Sequence, residues 1–288
     1  MSRTTLTAWE PEDGAFWESR GRRIARRNMW TSVFAEHIGF SVWSLWSVLV
    51  LFMTKKTGFA LTPGDKFLLV TLVTAVGSAV RPGYGFAVTR IGGRTWTTLS
   101  AFLLLVPVIA ATIVLGYPHA PLWAFLLCAA VSGLGGGSFA ASTTNVNFFF
   151  PEREKGRALG INAGGGNLGV ASVQLLGLLV IAAAGVSHPR LLTTLYIPLL
   201  LISACLAYTL MDNLPGMRTE GSVYRMALRD RHCWTISLLY IGTFGSFIGY
   251  SFAFGLVLQN DFGRTPLQAA ALTFTGPLLG SLAHPIGS

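Results

Sequence analysis

Charge is what this sequence is short of. Only 11% of its 288 residues are Asp, Glu, Lys or Arg, against roughly 25% in an ordinary soluble domain. Hydrophobic residues make up 52% and the mean hydropathy is +0.56, which excludes a chain that hides its apolar surface in one water-soluble core. Cysteine is scarce as well. Cys128, Cys205 and Cys233 lie in or beside apolar runs without ligand spacing, which excludes a disulfide framework and a cysteine metal site. The glycine clusters lack the strand–turn–helix context of a nucleotide-binding loop. No acid/base pair, nucleophile with its base, or metal cluster falls at mid-membrane depth, so the reading is not an enzyme and no cofactor is expected. A signal peptide would show a short apolar core and a small-residue cleavage site. Here the basic stretch Arg20-Gly21-Arg22-Arg23-Ile24-Ala25-Arg26-Arg27 precedes a longer run, and the twin arginines read as an anchor of a retained first helix rather than an export signal.

What the chain has in quantity is long hydrophobic runs. A membrane-crossing helix needs about 20 mainly apolar residues, and eight segments qualify: 30–53, 67–89, 95–115, 122–150, 158–184, 191–211, 234–258 and 269–288. The expected fold class is an all-α integral membrane protein in the lipid bilayer. The net charge of +9 could suggest nucleic acid, but the placement of the basic residues accounts for it. With the N-terminus in the cytoplasm, fifteen of the 21 Lys and Arg fall on the cytoplasmic side, five on the other, and the last is Arg81. That asymmetry orients a multi-pass protein of the cell membrane and leaves no basic surface needing nucleic acid.

Arg81 stands inside an apolar segment, Gly77-Ser78-Ala79-Val80-Arg81-Pro82-Gly83-Tyr84-Gly85. It lies about 12 Å from the cytoplasmic interface at 1.5 Å per residue, slightly beyond comfortable snorkelling. A guanidinium at such depth costs about 2.5–3.5 kcal/mol on insertion scales, so a compensating partner is expected. Pro82 cannot donate to the Ser78 carbonyl, and irregular backbone at this depth belongs where it is buried or lines a cavity. The segment is echoed by Gly280-Ser281-Leu282-Ala283-His284-Pro285, both reading G-S-x-x-(R/H)-P. A second pair, Ile38-Gly39-Phe40-Ser41 and Ile248-Gly249-Tyr250-Ser251, recurs at a similar offset, 210 residues against 203. Two ordered echoes at nearly one period indicate duplicated halves.

Other polar residues inside the runs carry two readings each. Glu36 and His37 form a proton relay, or, being within about two turns of the interface by the span limits, a solvated or paired structural set; position favours the second. Phe40, Trp43 and Trp46 share one side of the first helix, as packing or as a cavity wall. The small-residue spacings of Gly133-Leu134-Gly135-Gly136-Gly137 and Gly160–Gly169 permit close helix approach. They leave Asn162 and Asn167 to act as interhelical hydrogen-bond partners or as ligands. Pro151-Glu152-Arg153-Glu154-Lys155-Gly156-Arg157 reads as a structural turn. The expected organisation is a cytoplasmic segment over 1–29, a six-helix bundle over 30–211, a cytoplasmic linker over 212–233, and the start of a second bundle over 234–288.

Between the second and third spans, Gly85-Phe86-Ala87-Val88-Thr89-Arg90-Ile91-Gly92-Gly93-Arg94 resembles the loop signature G-x-x-x-D-R-x-G-R-R of the major facilitator superfamily, with Thr89 in place of the Asp. The stretch Ala163–Gly169 is similar to the signature of the nitrate/nitrite porter family within that superfamily. Ser138–Ser142, Asn147–Pro151, Ser237–Tyr240 and Phe244–Gly249 support the resemblance, which runs the length of the chain. It implies a mid-membrane pocket between two bundles for a planar monoanion, nitrate or nitrite, taken up by anion exchange or proton coupling. It implies that Arg81 is one of two arginines clamping the anion, and that Phe40, Phe139, Asn167, Tyr240 and Phe244 sandwich it or hydrogen-bond to it. A guanidinium suits this task, being planar, always charged and bidentate toward planar oxyanions.

His284 stands where the second arginine is expected. An imidazole of ordinary pKa near 6.5 is mostly neutral at pH 7, so weaker anion binding, sharpened at acid pH, follows. The family has twelve spans, whereas about eight are counted here. The expectation is a complete N-terminal bundle with a truncated second one, a possible missing C-terminal half as partner, and impaired transport by residues 1–288 alone. The alternatives are a transporter of another small anion on the same fold, or a non-transporting membrane subunit that needs its missing half.

Overall fold

The structure, a computed structural model, describes residue 6, residues 8–214 and residues 226–283. All regular structure in it is helical. Seven helices are long and apolar enough to cross a membrane: α1 (Gly14–Phe52), α2 (Pro63–Ile91), α3 (Gly93–Val114), α4 (Leu122–Phe149), α5 (Glu152–Ala184), α6 (Pro189–Leu210) and α7 (Arg231–Asn260). Two shorter helices follow, α8 (Pro266–Thr273) and α9 (Thr275–Ala283). The eighth expected span thus begins as two pieces, and its last five residues, His284 among them, lie outside the described residues. The break has a local cause: Pro277 has no N–H to offer the Thr273 carbonyl, so the ladder stops and restarts.

Helix α1 is the axis of the assembly. It is buried almost all round, with Phe40, Trp43, Leu45, Trp46 and Leu49 fully enclosed, and it packs against α2, α4, α5, α6 and the later half of α7, where Phe252 meets Trp43. A helix hydrophobic on every side belongs at the centre of a bundle. Its lipid-side neighbours show the opposite pattern, with Phe102, Val106, Ile109 and Ile113 of α3 facing outward. Helix α1 starts earlier than the expected 30, running unbroken in helical structure from Gly14 with one π turn at Trp17–Gly21. Polar anchors explain the extension. Trp17 Nε1 donates to Glu154 Oε1 at 2.8 Å and Arg22 pairs with the same oxygen at 3.3 Å, which ties α1 to the head of α5.

At the same, arginine-rich end, Arg27 forms an ion pair with Asp212, and Asn28 both donates to Asp212 Oδ2 at 2.9 Å and accepts from its backbone N–H at 2.8 Å. The stretch expected as a loop between the second and third spans is instead helix up to Ile91. Gly92, at φ 89°, turns the chain directly into α3. Only glycine holds that left-handed conformation without strain. Arg94 then donates through Nε to the Tyr208 carbonyl at 2.7 Å and stacks on the Tyr208 ring. The signature there works as a brace between α3 and α6. The middle of the expected linker, residues 215–225, lies outside the described residues.

Two helices are irregular at mid-height, and the irregular places meet. In α2 the α-helix Pro63–Ala79 pauses at Val80 and resumes at Arg81, where Pro82 removes a ladder bond. In α4 the glycine run Gly133–Gly137 is wound as 3-10 helix between two α-helical pieces. A Cβ placed on Gly136 would stand 2.8 Å from the Gly77 Cα and 2.9 Å from the Trp43 ring. The backbones of α2 and α4 therefore touch where a side chain would keep them apart.

Candidate functional site

The break in α2 aims Arg81 into the bundle. Its Nε donates to the Gly136 carbonyl at 3.3 Å, which the 3-10 winding of α4 turns toward α2. Its Nη2 is buried and has no hydrogen-bond partner among the described residues. Three rings surround the guanidinium: Trp43 at 5.4 Å, Phe139 at 5.3 Å and Phe244 at 4.9 Å from centroid to Cζ. Cation–π contacts of this kind contribute about 0.5–2 kcal/mol each, most where water is excluded. They offset part of the cost of holding a cation at this depth without satisfying its N–H donors.

The rings themselves form a continuous stack. Phe40 lies against Phe139 at 6.1 Å and 26°, Phe139 against Phe244 at 6.1 Å and 25°, and Phe244 against Tyr240 at 5.0 Å and 7°. Tyr240 interacts with Arg81 both electrostatically and by a side-chain hydrogen-bond contact to the guanidinium. Four helices contribute: α1 through Phe40 and Trp43, α2 through Arg81, α4 through Gly136 and Phe139, and α7 through Tyr240 and Phe244. An open groove of about 420 Å³ between α2 and α7 reaches this cluster, with Ser78, Arg81 and Phe244 along its wall.

Five of the seven expected site residues, Arg81, Phe40, Phe139, Tyr240 and Phe244, are therefore in one place. Asn167 is fully buried on α5, on the turn beyond Asn162. His284 lies outside the described residues. Two participants were not expected. Trp43 was placed on the same side of α1 as Phe40 but not assigned to Arg81; its Nε1 donates to the Val73 carbonyl at 3.0 Å, which fixes the ring over the guanidinium. The Gly136 carbonyl is a backbone group that no side-chain pattern announces.

Glu36, expected as solvated or paired, has the pairing without the solvent. It is 1% exposed rather than solvated. Ser142 and Asn162 both donate to its Oε2, Asn162 at 2.8 Å, and Asn162 donates also to the Ser142 hydroxyl at 2.9 Å. Oε1 has no partner among the described residues. A Cβ on Gly166 would collide with this carboxyl, so the glycine makes the space it occupies. His37, next in sequence, points elsewhere, its Nδ1 lying 3.1 Å from the Gly165 carbonyl. The signal was present in the sequence as an acid inside an apolar run; span limits drawn from hydropathy placed it too near the interface.

Residues 29–288 match the sequence profile of the Major Facilitator Superfamily. The chain is 36% identical over 301 residues to the nitrate/nitrite transporter NarU of Escherichia coli (strain K12), covering 99% of this chain and 64% of that protein. With NarU of Salmonella typhimurium the identity is 37%, at the same coverage. With the probable nitrate/nitrite antiporter NarK2 of Thermus thermophilus it is 33%, over 98% of this chain and 68% of the relative. The chain thus spans a little less than two thirds of the length of the NarU proteins.

Proposed function

From the fact that the chain belongs to the nitrate/nitrite porter family of the Major Facilitator Superfamily, we propose that it moves nitrate and nitrite across the cell membrane and that Arg81 is the group that holds the anion. The observation that carries the reading is the buried Nη2 of Arg81, a charged donor with no hydrogen-bond partner among the described residues. A buried unsatisfied donor is expensive and needs a reason. A small oxyanion supplies the missing acceptor.

The mechanism follows from the geometry. Gly136 occupies Nε, which sets the plane of the guanidinium, and the buried Nη2 is left without a partner among the described residues, so a ligand that claims the terminal fork would share it with the Tyr240 contact. Two parallel N–H bonds to one planar anion are the strong, directional form of such contacts. Phe40, Phe139, Phe244 and Tyr240 stack on one another rather than around a slot, and the wall they make beside the guanidinium is proposed to favour a flat ion over a tetrahedral one. Selection here is by shape, while charge supplies the affinity. Asn167, buried on α5, and His284 are proposed as the remaining polar partners. The arginine-rich end formed by the heads of α1 and α5 is proposed to face the cytoplasm.

Transport by alternating access needs two bundles about one site. The test is therefore made on protein at the full length its gene encodes, reconstituted in vesicles. Nitrite preloaded inside should drive saturable uptake of labelled nitrate, with formate, chloride and phosphate competing poorly. Uptake that phosphate or chloride blocks as well as nitrite does would transfer the assignment to another anion. Absence of any anion-dependent uptake would favour a subunit that does not transport.

A further inference from the structure

Two carboxyls are buried among the described residues, Glu36 and Asp212. Asp212 is answered by Arg27 and Asn28 at the arginine-rich end. Glu36 has no cation within ion-pair distance among the described residues, and the anion reading makes no use of it. We infer that Glu36 is a proton-binding site coupled to the anion held by Arg81, so that a proton and the anion load the same bundle together. This rests on the anion reading above and adds to it the residue that would carry a coupled proton.

The geometry joins the two groups by two helix faces. On α4, Gly136, Phe139 and Ser142 follow at three-residue steps, which places them along one side of the helix. Gly136 accepts from Arg81, Phe139 stacks beside it, and Ser142 donates to Glu36. On α1, running the other way, Glu36, Phe40 and Trp43 form the matching face, with Trp43 over Arg81. Glu36 stands seven positions before Trp43 on α1, a rise of about 10 Å, and with Trp43 over Arg81 the guanidinium is the cation placed to act on the carboxyl.

The surroundings suit a carboxyl that gains and loses a proton. An ionised carboxylate in a dry interior without a counter-ion is costly, yet Ser142 and Asn162 give Oε2 the two donors that make the ionised form attainable. Oε1 is without a partner and so is the Ser203 hydroxyl. Both residues line one cavity of about 10 Å³, close to the volume that one water molecule needs. The groups facing Glu36 are few. Helix α3 presents the hydroxyls of Thr97 and Ser100, α4 that of Ser142, α5 the amide of Asn162 and α6 the hydroxyl of Ser203. The titratable or charged ones are Arg81 from α2, Tyr240 from α7, and His37 on α1 itself. The chemical step is small: a proton from water attaches to Oε1, the carboxylate becomes a neutral acid, and no other bond changes.

The sign of the coupling follows. An empty Arg81 favours the ionised carboxylate. A bound anion cancels that field, so the carboxyl takes up a proton more readily; by reciprocity the protonated carboxyl favours the anion. For a separation of ~10 Å and an effective dielectric near 20, the effect is about tenfold on either equilibrium.

The experiment uses the full-length protein in detergent with nitrate as the probe. Nitrate added at fixed pH should draw protons from a weakly buffered solution and increase the infrared carbonyl band of a protonated carboxylic acid. In Glu36→Gln, a neutral near-isostere, that band change should vanish. With His284 replaced by Gln in both proteins, so that its own titration is removed, nitrate affinity should fall about tenfold from acid to alkaline pH where Glu36 is kept, and the added Glu36→Gln should hold the acid-pH affinity throughout. Nitrate binding with no proton uptake and no carboxyl band change in the parent overturns the inference, whatever the variant does. A variant with the parent's pH profile and band change overturns it too, and leaves the anion reading standing. If neither protein binds nitrate, the anion reading itself fails and the inference fails with it.

Discussion

Gly136 and Gly83 lie in the same region of the bundle and should respond oppositely to one added methyl group. At Gly136 a Cβ would meet the Gly77 Cα at 2.8 Å, the Trp43 ring at 2.9 Å and the Gly77 carbonyl oxygen at 3.0 Å. Two of those atoms are backbone and cannot turn aside, so α2 and α4 must separate. Overpacking of this kind destabilises by about 1–3 kcal/mol. The separation also draws the Gly136 carbonyl from Arg81 Nε, so anion affinity should weaken together with stability. At Gly83 a Cβ has nothing within 4 Å, and the residue is helical. There Gly→Ala should stabilise by about 0.4–1 kcal/mol, through the unfolded chain alone. The assay is the thermal midpoint of each purified variant in one detergent, with nitrate titrated into both. Gly136→Ala should lower the midpoint and the nitrate affinity; Gly83→Ala should raise or keep the midpoint and leave affinity unchanged. A Gly136→Ala protein as stable as Gly83→Ala would refute the close approach of α2 and α4 on which the placement of Arg81 depends.

Trp43→Phe removes the donor to the Val73 carbonyl and shrinks the ring over Arg81, so nitrate affinity should fall by about 1–2 kcal/mol; a calorimetric titration unchanged from the parent would remove Trp43 from the site. For His284, the sequence expectation is that His284→Arg strengthens nitrate binding about tenfold or more, as a charged hydrogen bond of about 1.5–3 kcal/mol allows. The gain should be greatest at alkaline pH, where imidazole is neutral and guanidinium is not. Equal gains across pH, or none, would contradict that assignment.

How much of this was legible in the sequence varies with the kind of signal. Arg81 was legible because a charge in an apolar run cannot be ignored, and Pro82 marked the break that aims it. The transmembrane helices followed from hydropathy, since long apolar runs have little alternative. The partners of Arg81 were not readable from spacing. Phe139 and Phe244 lie on different helices from Arg81 and each other, and the resemblance to a family, not periodicity, pointed to them. Gly136 acts through its carbonyl, and glycine as a residue type says only that something comes close. Glu36 was seen and underrated: a hydropathy window begins α1 near Trp30, whereas Trp17, Arg22 and Arg27 anchor it much further back. The helix continues past the apparent interface and carries Glu36 into the bundle. The interruption at Phe274 follows from Pro277, whose effect hydropathy does not show because the run around it is uniformly apolar.

The central claim is that the guanidinium of Arg81 holds a planar anion, and nitrate affinity in Arg81→Leu, measured beside the parent by calorimetry on folded protein, tests it most directly. Loss of two charge-assisted hydrogen bonds of about 1.5–3 kcal/mol each predicts affinity lower by about a hundredfold or more. Nitrate bound by the leucine variant as tightly as by the parent would contradict the account.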